Sequence, residues 1–192
     1  VYKRQLQLQG PKSRDVLRAA FGDAPTELKY YRFMDFDWDG VPLIISRTGW
    51  SSELGYEIFL RDGTQGEKLW EHLMAVGGPL GLKPGHTSSI RRIEAGMLSY
   101  HADMTLANNP YEMGMGRLVD LDMEADFISK AALTLIKERG VSQQLVGLEI
   151  DGAPFVGSND FFWPVLKEGV KVGTVTSAIY SPRLQKNIAL AM

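Results

Sequence analysis

The stretch SRTGWSSELGYEIFL, residues 46–60, brings an aromatic and two carboxylates to one corner: Trp50, Glu53 and Glu57. Along GYEIFL the period of a strand puts Tyr56, Ile58 and Leu60 on one face and Glu57 and Phe59 on the other. With the first face in a core, Glu57 points to solvent or to a cleft. Two readings stand for it. One is a solvated glutamate on a sheet. The other is a carboxylate aimed at a ligand with two adjacent N–H donors, such as a pterin or a guanidine, met by two parallel charge-assisted hydrogen bonds. Trp50 follows a glycine at the strand end and has two readings as well. It covers the edge of the core, or it offers its face to a cation or a flat ring. Further along, SSIRRIE carries Arg91 and Arg92 with Glu94. One arginine is read as an internal ion-pair partner and the other as exposed; either could hold a ligand carboxylate.

Other chemistries find no support. There is no GxSxG, P-loop or GxGxxG, and no convincing carboxylate pair, so the catalytic residue is unknown from motifs alone. His72, His86 and His101 are scattered without metal-ligand spacing, and no metal is expected. The absence of cysteine removes disulfides, thiolate zinc sites and a cysteine nucleophile. It is compatible with a reducing, cytoplasmic setting. With a net charge of -2 and no basic run, nothing favours nucleic acid binding. No apolar run approaches membrane-spanning length.

The elements that must position these residues read as two textures. LQLQ is a short strand, Gly10-Pro11 a break, and the helix that follows shows Leu17, Ala20 and Phe21 on one face and stops at Gly22. Residues 30–50 form two runs around Asp39-Gly40, a hairpin signal. Burial cost favours Met34, Phe36 and Trp38 as the inward set. TQGEKLWEHLMAVGG is a helix with a Thr64/Glu67 capping box, a stripe of Leu69, Trp70, Leu73 and Met74, and a stop at Gly77-Gly78-Pro79. HTSSIRRIEAGM is a second helix. DFISKAALTLIKERG is a third, capped by Ser129 and stopped by Gly140. Beyond Gly140 come short strands with glycine turns, a small β barrel or sandwich. The expected class is α+β, with an α+β region over 6–140 and an all-β domain over 141–192. VYKRQ fits nothing that follows and is set aside as linker-like, and KNIALAM stops within a strand. The chain is therefore expected to be an internal fragment, with both regions truncated.

LQGPKS, RTGWSSELGYEIF, RRIEAGMLSYHADM, NNPYEMG, DFISKAAL, LVGLEI and VGTVTSAIYSPRLQKNIALA follow one another at sensible spacing. Together, over essentially all of residues 6–192, they resemble the glycine cleavage T-protein superfamily of folate-dependent one-carbon transferases. The resemblance implies a cloverleaf of three domains around a folate channel. This chain would hold its ferredoxin-like folate-binding α+β domain and most of its C-terminal all-β barrel. It implies tetrahydrofolate as cofactor, with Glu57 at the family glutamate that contacts the folate ring and Trp50 lining the same pocket. Within the superfamily the stretches look most like the group that demethylates dimethylsulfoniopropionate. Aligning RIEAG on the RLEAG of aminomethyltransferases puts Ser88 where those enzymes carry a ligand-binding arginine. Arg92 falls on their second, structural arginine. Ser88 and Arg91 become candidates for the substrate carboxylate. The implied partner is a small-molecule methyl donor, without nucleic acid or membrane, and a homodimer is compatible. The alternatives are an aminomethyltransferase, an N- or O-demethylase that uses folate, or a folate-binding module without turnover. The last group carries a cysteine motif that this chain lacks.

Overall fold

A computed structural model describes residues 4–192, which divide into two compact units, one ending at Ser88 and the other spanning Ser89–Met192. The first unit is built on a four-stranded antiparallel sheet in the order β1-β4-β3-β2. Its strands are β1 (Gln5–Gln9), β2 (Phe33–Trp38), β3 (Val41–Ser46) and β4 (Gly55–Leu60). Consecutive strands β2, β3 and β4 form a meander, and β1 adds to β4 with Gln7 opposite Glu57. The β2–β3 turn is the expected two-residue one. Trp38 pairs with Val41, and Asp39 and Gly40 both have positive φ, 50° and 79°. That is the primed geometry whose twist suits a hairpin.

One face of the sheet is apolar, and helices α1 (Ser13–Phe21) and α2 (Gly66–Gly77) complete its core. Leu17, Ile45, Tyr56, Ile58 and Leu69 are fully buried. Each such side chain contributes about 1.5–3 kcal/mol through the water it sheds. Trp38 is buried and Phe36 packs against the same cluster, so the inward set on β2 is the expected one. On α2, Leu69 and Leu73 face the sheet, but Trp70 is 43% exposed. At 100° per residue it lies one step round the helix, outside the stripe. The start of α2 also differs from the expected Thr64/Glu67 box. Asp62 is the acceptor there, taking bonds from the Thr64 N–H at 3.0 Å and the Thr64 hydroxyl at 2.8 Å. A one-turn 3-10 segment, Gly63–Gln65, intervenes before α2, and it moves the cap upstream.

The N-terminal five residues were expected to stand outside the fold. Residues 1–3 lie outside the described residues, but Gln5 opens β1 opposite Phe59 and the Arg4 carbonyl accepts from the Leu60 N–H at 2.9 Å. The strand alternation simply starts earlier than the leucines suggest.

The second unit opens with α3 (Ser89–Glu94), shorter than the residue 86–97 helix expected. Gly96, at φ 65°, closes it: Gly96 N–H bonds the Ile93 carbonyl and Met97 N–H the Arg92 carbonyl. Helix α4 (Lys130–Arg139) is capped at its C-terminus by Gly140, as expected. Ser129 stands at the N-cap position as expected, but in a left-handed conformation and without a side-chain cap bond. The remaining strands are β5 (Val146–Ile150), β6 (Trp163–Lys167), β7 (Val170–Ser181) and β8 (Lys186–Ala191), in an antiparallel sheet ordered β5-β8-β7-β6. Ile188 and Leu190 of β8 pack with Ile93 of α3, while Ala189 and Ala191 turn to the opposite face with Trp163 and Phe155. The chain is thus α+β with a sheet-built second part.

Candidate functional site

The face of the first sheet opposite its helices carries Glu57 at the centre of a polar row. Gln7 lies across from it on β1 and Ser46 on β3. Its carboxylate accepts from the Gln5 amide and from the Thr48 hydroxyl, and from the Gln7 amide at 3.5 Å. Thr48 is joined in turn to the Ser46 hydroxyl at 2.8 Å. These partners are neutral, and the side chain is half-buried. Two carboxylate oxygens offer about four acceptor positions. Three of these are taken, and among the described residues no cation is paired with Glu57, so one position is left for a further N–H donor.

The corner between β3 and β4 holds Trp50, which is half-buried and stands apart from the hydrophobic core of its unit. Gln9, at the end of β1, reaches into this corner. Its Nε2 donates to the carbonyls of Thr48 at 3.4 Å and Tyr56 at 3.3 Å, and its Oε1 accepts from the Ser51 hydroxyl at 2.6 Å. A Cβ at Gly49 or Gly55 would overlap the Gln9 amide. Sequence reasoning missed Gln9 altogether. The one available signal was the pair of glycines flanking Trp50 and Tyr56, which marks a close approach by something. Glu53, the third member of the corner, is exposed.

Ser88 is half-buried and is the last residue of the first unit, while Arg91 is exposed on α3. The two adjacent arginines divide as read: Arg92 is buried in an ion pair with Asp103 at 2.8 Å, whose side chain is wholly enclosed. Asp103 also accepts from the Ser99 N–H at 2.8 Å and from the hydroxyls of Thr176 at 2.8 Å and Ser177 at 2.6 Å. Consecutive residues of a regular strand point to opposite faces. Here a register shift between Val175 and Ser177 lets both hydroxyls reach one carboxylate. Arg92 completes the cluster by donating to Ser177 at 2.7 Å. Every strong donor is matched, so this cluster holds the unit together and leaves little for a ligand. A cavity of about 170 Å³ lies beside it, lined by Ser89, Asn159, Phe161 and Thr176 among others.

The motif NNPYEMG is a self-capped turn. Asn109 accepts from the N–H groups of Tyr111 and Glu112, and Glu112 accepts from the Asn109 N–H at 3.2 Å. Of the histidines, His72 is bonded to the Ala20 carbonyl at 2.9 Å, a packing role on α2. Among the described residues no group of three or more acidic or histidine side chains could hold a metal ion. Among them too, no helix is long and apolar enough to cross a membrane.

With this fold and corner in view, the family can be stated. The GCVT N-terminal domain matches residues 3–123 and the glycine cleavage T-protein C-terminal barrel domain matches residues 143–192. The chain belongs to the glycine cleavage T-protein family. It is 37% identical over 187 residues to the dimethylsulfoniopropionate demethylase DmdA of Ruegeria pomeroyi, covering 97% of this chain and 50% of that protein. It is 38% identical over 194 residues to an aminomethyltransferase of Bacillus cereus, covering 98% of this chain and 51% of the other. The fold is that of the glycine cleavage system aminomethyltransferase T from Bartonella henselae, with a TM-score of 0.77 at 24% identity over 97% of this chain and 50% of that one. The chain spans about half the length of the curated relatives it matches.

Proposed function

We propose that the protein containing this chain is an enzyme, a tetrahydrofolate-dependent methyltransferase that demethylates dimethylsulfoniopropionate. The observation that carries the reading is Glu57: a half-buried carboxylate on the sheet face opposite the helices, held among the described residues by neutral donors and adjoining the Trp50 corner. Such a carboxylate fits the adjacent N–H donors of a reduced pterin ring. Trp50 offers a flat wall beside it. Tetrahydrofolate supplies N5 as the acceptor. The methyl–sulfur bond of the sulfonium breaks, an N5–methyl bond forms, and N5 gives up its proton. Methylthiopropionate and 5-methyltetrahydrofolate are the products.

Little acid or base is needed, because the leaving group is a neutral thioether. What the protein must do is hold acceptor and methyl in line, which can supply roughly 7–11 kcal/mol of the barrier. An aromatic such as Trp50 favours the sulfonium charge by about 0.5–2 kcal/mol. Ser88, in place of an arginine, and exposed Arg91 are the proposed contacts for the substrate carboxylate. The demethylase relative at 37% identity supports this donor. The aminomethyltransferase relatives support the second reading, one-carbon transfer to folate from an aminomethyl group. We keep the division into a 6–140 folate-binding α+β region and a 141–192 barrel as a proposal. A cytoplasmic setting and a homodimer belong to it as well.

The test is to incubate the full-length protein with dimethylsulfoniopropionate and tetrahydrofolate and to quantify both products. Equal amounts of the two are expected. Glu57→Ala should weaken binding of 5-formyltetrahydrofolate by on the order of tenfold or more, the scale of a charge-assisted pair of hydrogen bonds. Unchanged affinity would remove Glu57 from the site. Products from glycine-derived aminomethyl donors alone would replace the demethylase with an aminomethyltransferase.

A further inference from the structure

We propose that Gln9 is a positioning residue that sets Trp50 and Glu57 in one frame, an inference that rests on the folate site just described. A glutamine amide has two N–H donors and one oxygen with two acceptor sites. Both N–H groups are directed at backbone carbonyls, Thr48 on one side of the corner and Tyr56 on the other, and the oxygen takes the Ser51 hydroxyl. Those three contacts bracket Trp50 in sequence. They also adjoin Glu57, because the Thr48 hydroxyl donates to its carboxylate and Tyr56 is the residue before it.

The seat is shaped for this side chain. Gly49 and Gly55 leave the space that the amide fills, and a methyl group at either would collide with it. The corner itself is irregular. Residues 47–54 contain no helix or strand, and Ser52 holds a left-handed φ of 58°. A loop of this kind, in a non-glycine residue's disfavoured region, keeps one conformation only where its surroundings fix it. Gln9 stands on a strand of the sheet and is rigidly placed by its pairing with Gly55. It therefore ties the middle of the corner to the rigidity of β1.

The experiment uses the 192-residue chain labelled with 5-fluorotryptophan. Its four tryptophans give four fluorine resonances, and Trp50→Phe assigns one of them. In Gln9→Met the Trp50 resonance should shift or broaden while those of Trp38, Trp70 and Trp163 stay fixed. In the full-length protein the same substitution should lower affinity for 5-formyltetrahydrofolate by on the order of tenfold, as expected for the loss of one or two hydrogen bonds' worth of ordering. Gly49→Ala, which expels the amide from the other side, should reproduce both effects with Gln9 intact. A Trp50 resonance unmoved in both variants overturns the proposal, and so does a moved resonance with unchanged affinity. Should Gln9→Met disturb all four resonances, Ser51→Ala decides. It removes one of the three contacts without touching a strand, and it must move the Trp50 signal alone. Absence of binding in the unsubstituted full-length protein would sink the folate reading, whereas the fluorine spectra of the chain would still judge the positioning of Trp50.

Discussion

Arg92 and Asp103 show how unequal two neighbouring side chains on a short helix can be. Arg91 is exposed, but Arg92 has carried its charge into the second unit and needs Asp103 to neutralise it. Removing one partner of such a pair leaves an uncompensated buried charge, at a cost of about 3–5 kcal/mol. We expect Arg92→Met to lower stability to urea by that amount. Asp103→Asn in the same chain should restore part of the loss, because an amide can still accept from Ser99 N–H and exchange bonds with the two hydroxyls. A urea titration of the single and double variants measures this. In the first unit, Leu69 is fully enclosed, and Leu69→Ala should cost about 2–5 kcal/mol. A smaller loss would mean that α2 collapses onto the vacated space.

At the scale of elements, Asp62 governs the entry to α2. The backbone and hydroxyl bonds from Thr64 hold its carboxyl below the ordinary aspartate value. A depressed carboxylate stabilises the fold at any pH above the unfolded value, and that contribution is lost as pH falls through the folded one. Asp62→Asn should therefore leave Tm unchanged in its pH slope near neutrality and flatten the slope below about pH 4. Thermal melts across pH 2–6, roughly the carboxylate range, report it. Elements with strong local codes were legible in the sequence: the Asp39-Gly40 turn, the inward face of β2, the Gly22 and Gly140 helix stops. The Asp62 cap was not, because Thr64 and Glu67 satisfy the same spacing rule and only the intervening 3-10 turn decides between them. The short extent of α3 was missed because Gly96 takes a left-handed φ that the apolar pattern does not register. Of the candidate site, the facing of Glu57 followed from strand alternation alone. Its actual partners, Gln5 and Thr48, depend on inter-strand register, and the Gln9 seat depends on a loop path, neither of which has a local signature.

Across the whole chain, burial is uneven. The first sheet and its two helices own most of the fully enclosed side chains, while α4 has no buried residue. Local opening is easiest where few apolar contacts hold an element down. Amide exchange should therefore release α4 well before β3 and β4, by on the order of a hundredfold in rate or more. Equal protection of the two would show that α4 is covered in solution. The Asp103 cluster bears on a different matter, the order in which the chain is made. Arg92 and Ser99 leave the ribosome close to Asp103, but Ser177 follows 74 residues later. At about 5–20 residues per second that is an interval of roughly 4–15 s. Through that interval Arg92 and Ser99 are within reach of the carboxylate in sequence, whereas the two hydroxyls of β7 have yet to be made. The cluster therefore closes only when β7 arrives, and its last two bonds are among the latest that this unit can make.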